Sequence, residues 1–137
     1  MADAKNYLQT EDGLCIGQLY TTDNGRTRLY ISLTNPTLLS PKICFHQSTT
    51  DGLTIYWGDG TSDTSGSNWY LQHTYNSVGD YVIEIDVTQG TAYLALDNSS
   101  YYYVFGYTSS NNTDLQYSCF LEKVEMGNNM TVSSGAF

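Results

Sequence analysis

Two histidines, His46 and His73, are the side chains best suited to move protons near neutral pH. Nucleophilic catalysis would need one of them beside a carboxylate and a hydroxyl, and Asp and Ser are abundant in the sequence. There is no G-x-S-x-G elbow and no Cys/His spacing that marks a known nucleophile. An enzyme hypothesis therefore predicts a pocket that gathers His73 or His46 with a carboxylate and a hydroxyl. We favour the alternative, a protein without catalytic activity.

Asp59 is the second candidate for chemistry, because it lies between Gly58 and Gly60. A short carboxylate in this position can accept backbone N–H bonds and hold a turn. Calcium is the alternative, with Asp63 nearby. However, calcium takes about six to eight oxygen ligands, and the local sequence offers two carboxylates. We favour the role in the turn and expect neither a metal nor a cofactor.

Three cysteines, Cys15, Cys44 and Cys119, lack the C-x-x-C spacing of a zinc or redox site. We expect small core-filling or surface thiols, and their odd number leaves at least one outside any disulfide. Glu84 and Asp86 lie two residues apart and share one face of a predicted strand. That spacing is more typical of a solvated face than of a catalytic acid pair.

The charge balance restricts the partners. The formal net charge is −9, from 5 Lys and Arg against 14 Asp and Glu, so phosphate backbones should repel the chain. We expect no nucleic-acid partner and no membrane insertion, because no apolar run approaches the ~20 residues of a transmembrane helix. Met1–Tyr7 shows no secretory signal. For an exported protein, this implies a removed signal, another export route, or transport on a particle such as a phage.

The elements that must position these side chains are short strands. Apolar residues alternate with polar ones around four segments, which predicts half-buried strands there: Leu29 to Leu33, Ile43 to Phe45, Leu53 to Trp57 and Tyr81 to Val87. Further strands are predicted over 92–96 and 101–105, and a solvated loop over Ser62–Asn68. Strands spaced by about 8 to 12 residues and separated by turn residues are typical of a β-sandwich.

Aromatic residues are the best candidates for a binding surface. The chain has 13 Tyr, and the low content of charged residues, 14%, leaves a surface rich in Thr, Ser and Asn. Because neighbouring strand residues point to opposite faces, at least one of three consecutive tyrosines must point away from the core. The candidate surface consists of Trp69, Tyr70, Tyr101, Tyr102 and Tyr103. The alternative is that these rings pack against a neighbouring domain.

Three blocks in the middle of the chain resemble the signature of polycystic-kidney-disease (PKD) domains. They are Trp57-Gly58-Asp59-Gly60-Thr61, then His73-Thr74-Tyr75, then Gly79-x-Tyr81-x-Ile83-x-Ile85-x-Val87. Trp57 directly precedes Gly58, a shortened form similar to PKD-like modules of gut bacterial surface proteins. The resemblance covers about 28–90 and implies a PKD/immunoglobulin-like, all-β sandwich. It also implies that Trp57, Gly58, Asp59, Gly60, His73, Tyr75, Gly79 and Tyr81 are structural.

The C-terminal segment is similar to the first unit of a BspA-like leucine-rich repeat. It runs from Leu121 to Thr131 and ends in Ser134-Gly135-Ala136-Phe137. One repeat cannot bury its own face, because such solenoids need about three units or more. We therefore expect an irregular lead-in over 1–19, a sandwich over 20–115, and over 116–137 a strand that begins a repeat continued downstream. An extra strand on the sandwich is the alternative.

The resemblance implies a non-catalytic binding or spacer module of a BspA-like bacterial cell-surface protein, acting in cell adhesion. Its expected location is extracellular or on the bacterial surface. Its expected partners are a protein or glycan on a cell surface and downstream leucine-rich repeats of the same protein. The alternatives are a carbohydrate-binding accessory domain and a structural domain of a phage particle.

Overall fold

A computed structural model describes residues 24–66, 70–94, 102–103, 106–107, 117 and 119–132 of the chain. The regular secondary structure of the described part is almost entirely β-strand, with helical geometry only at Tyr117, Cys119 and Phe120. No helix within these ranges has the length and apolarity that a membrane span requires. In chain order the strands are β1 Thr27–Leu33, β2 Lys42–Gln47, β3 Leu53–Tyr56, β4 Ser62–Thr64, β5 Tyr70–Gln72, β6 Gly79–Val87, β7 Ala92–Leu94, β8 Tyr102–Tyr103, β9 Gly106–Tyr107, β10 Leu121–Glu125 and β11 Met130–Val132.

These strands form two main sheets. The five-stranded sheet has the order β10-β1-β6-β3-β4, and the four-stranded sheet has the order β11-β7-β2-β5. Their strand pairs are antiparallel, except that β11 runs parallel to β7. The short strands β8 and β9 pair with each other and contact β2.

The inner faces of both sheets share one hydrophobic core, as expected of a sandwich. On β1, every second residue is buried, because successive strand side chains point to opposite faces. Each fully buried aliphatic or aromatic side chain contributes roughly 1.5 to 3 kcal/mol relative to exposure. The side chains of the core cluster that are exposed by 2% or less are Leu29, Ile31, Leu33, Ile43, Phe45, Leu53, Ile55, Trp57, Tyr75, Ile83, Ile85, Ala92 and Leu94.

The structure confirms the four strands that were predicted from alternating apolar residues, which are β1, β2, β3 and β6. The predicted loop over Ser62–Asn68 is wrong for Ser62–Thr64, which form the edge strand β4. All three of its residues are exposed, so no apolar alternation marks it, and pairing with β3 alone defines it. Of the strand predicted over 101–105, the described part is Tyr102–Tyr103.

The described part of the segment 116–137 adds an edge strand to each sheet. β10 pairs with β1, and β11 pairs with β7, while Tyr117, Phe120 and Met130 are buried in the common core. The connection between the two strands is tied to the start of β1. There, the Asn128 amide donates to the Gly25 carbonyl over 2.8 Å. The predicted lead-in over 1–19 lies outside the described residues.

Candidate functional site

The sharp turn after β3 positions the motif residues at one end of the sandwich. The Trp57 amide donates to the Thr61 carbonyl over 2.9 Å and closes the turn. Gly58 and Gly60 have φ angles of +87° and +94°, a region that L side chains rarely occupy. The two glycines therefore allow the chain to reverse and leave Asp59 between them, facing His73.

Both carboxylate oxygens of Asp59 are hydrogen-bonded. Oδ1 accepts from the Thr61 amide over 3.1 Å and from the Thr61 hydroxyl, and Oδ2 accepts from His73 Nε2 over 2.6 Å. Partial burial alone would raise the pKa of Asp59, but the hydrogen bonds from Thr61 and His73 outweigh it and lower the pKa overall. Asp59 is thus held as a carboxylate that fixes both the turn and the His73 ring.

Trp57 lies beneath this pair and is fully buried. Its indole Nε1 donates to Asp63 Oδ2 over 2.7 Å, which satisfies the one polar atom of the side chain. The His73 ring stacks on the indole at a centroid distance of 4.9 Å and an interplanar angle of 15°. The two aspartates therefore hold opposite members of the same stacked pair.

Tyr75 continues the aromatic stack into the core. Its ring meets His73 edge-on at 4.7 Å and Tyr81 at 4.1 Å, and its hydroxyl donates to the Trp57 carbonyl over 2.6 Å. Burial, together with the Asp59 charge and Tyr81, raises the pKa of Tyr75 well above its ordinary value. The Tyr81 hydroxyl donates to the Ser77 carbonyl over 2.9 Å. We call Trp57, Asp59, Thr61, Asp63, His73, Tyr75 and Tyr81 the Trp57 cluster.

This cluster brings together the three groups that the enzyme hypothesis requires: His73, a carboxylate and a hydroxyl. Their arrangement nevertheless differs from a catalytic triad, in which the histidine uses one nitrogen for the hydroxyl and the other for the carboxylate. Here His73 Nε2 faces both groups, at 2.6 Å from Asp59 Oδ2 and 3.4 Å from the Thr61 hydroxyl. The Thr61 proton is directed at Asp59, so the imidazole is not placed to accept it.

The carboxylates considered for calcium, Asp59 and Asp63, have separate hydrogen-bond partners in the Trp57 cluster. Within the described ranges, no group of three or more His, Cys, Asp and Glu side chains is arranged to hold a metal ion. The chemistry that this end of the molecule displays is hydrogen bonding and aromatic stacking.

Of the predicted aromatic surface, the described side chain is that of Tyr70, which lies on the outer face of the four-stranded sheet. Tyr70 on β5 is 44% exposed, the largest exposed aromatic side chain of the described part. Tyr102 and Tyr103 form β8, which contacts β2 of the same sheet, although their side chains lie outside the described part. Trp69 and Tyr101 are not among the described residues.

The same face carries two contacts that the sequence did not predict. His46 and Tyr93 are opposite each other on β2 and β7, and their rings stack at 4.9 Å. The Lys42 ammonium lies 4.8 Å from the centroid of the Tyr70 ring. The position of Tyr93 between the inward-facing Ala92 and Leu94 was the available signal, but its partner depends on the β2–β7 register.

The outer face of the five-stranded sheet is a network of ion pairs. Glu84 accepts from Arg28 Nε over 2.9 Å and lies 3.4 Å from Arg26, which also lies 3.7 Å from Asp86. Burial alone would raise the pKa of Glu84, but hydrogen bonds from Asn24 and Arg28 and the arginine charges lower it overall. Glu84 and Asp86 thus share the predicted face but are paired there with arginines.

No family model, curated protein or solved structure matches the chain. Its function must therefore be inferred from the Trp57 cluster and from the exposed faces of the two sheets.

Proposed function

We propose that the chain is a PKD/immunoglobulin-like sandwich acting as a non-catalytic binding or spacer module of a BspA-like protein on a bacterial surface, in cell adhesion. The observation that carries the proposal is the internal closure of the Trp57 cluster. Asp59 accepts hydrogen bonds from Thr61 and His73, and Asp63 accepts one from the Trp57 indole, so the donors and acceptors of these bonds all belong to the cluster. Side chains of the types used in catalysis thereby brace the fold.

The proposal includes the relationship to leucine-rich repeats. β11 is an edge strand that runs parallel to β7, so strands of further repeats could add beside it. The strongest sequence support remains the spacing of Leu121, Val124, Met126 and Met130, which follows the repeat pattern. In this arrangement the sandwich would act as a spacer that joins the repeats to the rest of the surface protein.

Localisation and binding on intact cells test the proposal. An antibody against the chain should label intact cells of the source bacterium as strongly as permeabilised cells. The fluorescently labelled chain should also bind to cultured epithelial or bacterial cells, and the variant His73→Gln should bind as well as the parent if it is folded. Labelling only after permeabilisation, or on phage particles alone, would contradict the surface assignment. Loss of binding in a folded His73→Gln variant would move the function to the Trp57 cluster.

A further inference from the structure

One row of side chains along β5 stands out on the outer face of the four-stranded sheet. Tyr70 and Gln72 are exposed and face outward, because Leu71 between them packs against the core. Thr74 continues the row beyond the strand, since Tyr75 next to it points inward and is buried. With a rise of about 3.3 Å per residue, neighbouring members of the row are about 7 Å apart.

The aromatic end of the row is held in place. Tyr70 is paired with Cys44 on β2 in the antiparallel ladder, which holds the backbone that carries the ring. The Lys42 ammonium lies 4.8 Å from the ring centroid, and 44% of Tyr70 is still exposed. A positioned and exposed ring of this kind offers a flat apolar surface at low cost in conformational entropy.

The polar end of the row is held by the segment that precedes β2. Gln72 Nε2 donates to the Ser40 carbonyl over 3.0 Å, and the hydroxyls of Thr74 and Ser40 lie 2.8 Å apart. Among the described residues, no donor reaches Gln72 Oε1. The amide oxygen and the two hydroxyls are therefore oriented groups that can exchange hydrogen bonds with a ligand beside the ring.

We propose that this row binds a neutral oligosaccharide, with one sugar ring stacked on Tyr70 and the hydroxyls of the next sugar hydrogen-bonded to Gln72 and Thr74. The proposal rests on the binding function proposed above and names the class of its partner. A sugar ring has an apolar C–H face and a rim of hydroxyls, which matches one exposed ring followed by an amide and hydroxyls. The net charge of −9 disfavours acidic glycans.

A protein partner fits this face less well. A stable protein interface buries about 800 Å² on each partner around an apolar centre. The exposed large apolar side chains of the described part are Tyr70, Val78 and Val82, and Val82 lies on β6 of the other sheet. One aromatic ring with polar neighbours is enough to position a sugar but does not form an apolar interface centre.

Titration of the full chain with neutral tetrasaccharides tests the proposal. The probes are cellotetraose, laminaritetraose, maltotetraose and chitotetraose, each raised to about 10 mM and followed by amide chemical shifts. At least one probe should shift the amides of Tyr70, Gln72 and Thr74. No shift with any probe, or shifts confined to another face, would overturn the proposal.

Three variants isolate the stacking contact. Tyr70→Ala should weaken binding of the active probe by about tenfold or more, whereas Tyr70→Phe should keep most of it because the ring remains. Val78→Ala removes an equally exposed side chain outside the row and should change nothing. If the labelled chain binds cells while Tyr70→Ala binds them equally well, the oligosaccharide site is wrong and the surface function stands. If no cells bind, the surface function fails independently.

Discussion

Gly58 is the residue at which one added methyl group should disturb the candidate site most. Its φ angle is +87°, and a Cβ there would lie 2.5 Å from the Val82 carbonyl oxygen on β6. A left-handed backbone costs about 1 to 2 kcal/mol for an L residue, and overpacking against backbone adds about 1 to 3 kcal/mol. Gly58→Ala should therefore lower the free energy of unfolding by about 2 to 5 kcal/mol, measured by urea denaturation.

Gly60 provides the matched control, because its φ angle is +94° but a Cβ there would meet no atom within 4 Å. Gly60→Ala should therefore show only the backbone cost of about 1 to 2 kcal/mol. Equal losses in the two variants would mean that the contact between Gly58 and β6 does not determine the result.

Asp59 should contribute to stability through hydrogen bonds that no other residue can replace. Asp59→Ala leaves the Thr61 amide, the Thr61 hydroxyl and His73 Nε2 without their acceptor. Because Asp59 is partly exposed, water can compensate in part, and we expect a loss of about 1 to 2 kcal/mol in urea denaturation. Asp80→Ala is the control, since Asp80 accepts one hydrogen bond, from the exposed Ser32 hydroxyl. A control loss as large as that of Asp59→Ala would contradict the bracing role.

Some of these residue contacts could be expected from sequence and others could not. The resemblance to PKD domains predicts that Trp57, His73 and Tyr75 are structural, and the geometry places all three in one aromatic stack. The bond from the Trp57 indole to Asp63 needs the register of β4 against β3. That register depends on backbone pairing across a glycine-rich turn, which no local pattern specifies.

Among the secondary-structure elements, the strands with alternating buried residues were predictable and the short edge strands were not. β1 and β6 alternate over seven and nine residues and pair along the whole length of β1. β4 and β5 have three residues each, and only Leu71 among their six side chains packs against the core. Three mostly polar residues are too few to show an alternation of apolar and polar side chains. Such segments become strands because they pair with a neighbouring strand in the folded protein.

Removal of 117–137 should prevent the sandwich from folding. The deletion takes away β10, β11 and the buried side chains of Tyr117, Phe120 and Met130, and it exposes the backbone edges of β1 and β7. At about 2 to 5 kcal/mol each, the loss of three such core residues costs about 6 to 15 kcal/mol, which is as large as the roughly 5 to 15 kcal/mol that typically separates folded from unfolded domains. The shortened chain should give an unfolded circular-dichroism spectrum.

Deletion of 133–137 alone provides the control, because it keeps both edge strands, and it should retain a cooperative thermal transition. A cooperative transition with undiminished midpoint in the chain lacking 117–137 would show instead that this segment is a separate unit. That result would favour the start of a leucine-rich repeat over an integral part of the sandwich.

For the whole molecule, the carboxylates of Asp59 and Glu84 should make the free energy of unfolding depend on pH in the acidic range. The pKa values of Asp59 and Glu84 are lowered in the folded protein, so folding favours their charged forms. Their contribution is fully present above the ordinary carboxylate pKa of about 4 and is lost as pH falls through the folded values. The double variant Asp59→Asn with Glu84→Gln should lose less stability between about pH 5 and pH 2 than the parent. An unchanged acid dependence would contradict the two assignments.

The distribution of charge over the molecule leads to a second dependence, on salt. Arg26, Arg28 and Lys123 are paired with acidic side chains on the outer face of the five-stranded sheet. The whole chain has 5 Lys and Arg against 14 Asp and Glu, so the negative charges exceed the positive charges by nine. At pH 7 the excess negative charges repel one another, and this repulsion destabilises the compact folded state more than the expanded unfolded state. Salt at about 1 M shortens the screening length to about 3 Å and should raise the thermal midpoint at pH 7.

Near the isoelectric point of about 4.2 the net charge vanishes, and the same salt should produce a much smaller rise. Sodium chloride is the appropriate salt, because sulfate would also strengthen apolar burial at both pH values. An equal rise at the two pH values would mean that salt acts through burial of apolar surface and not through the acidic excess.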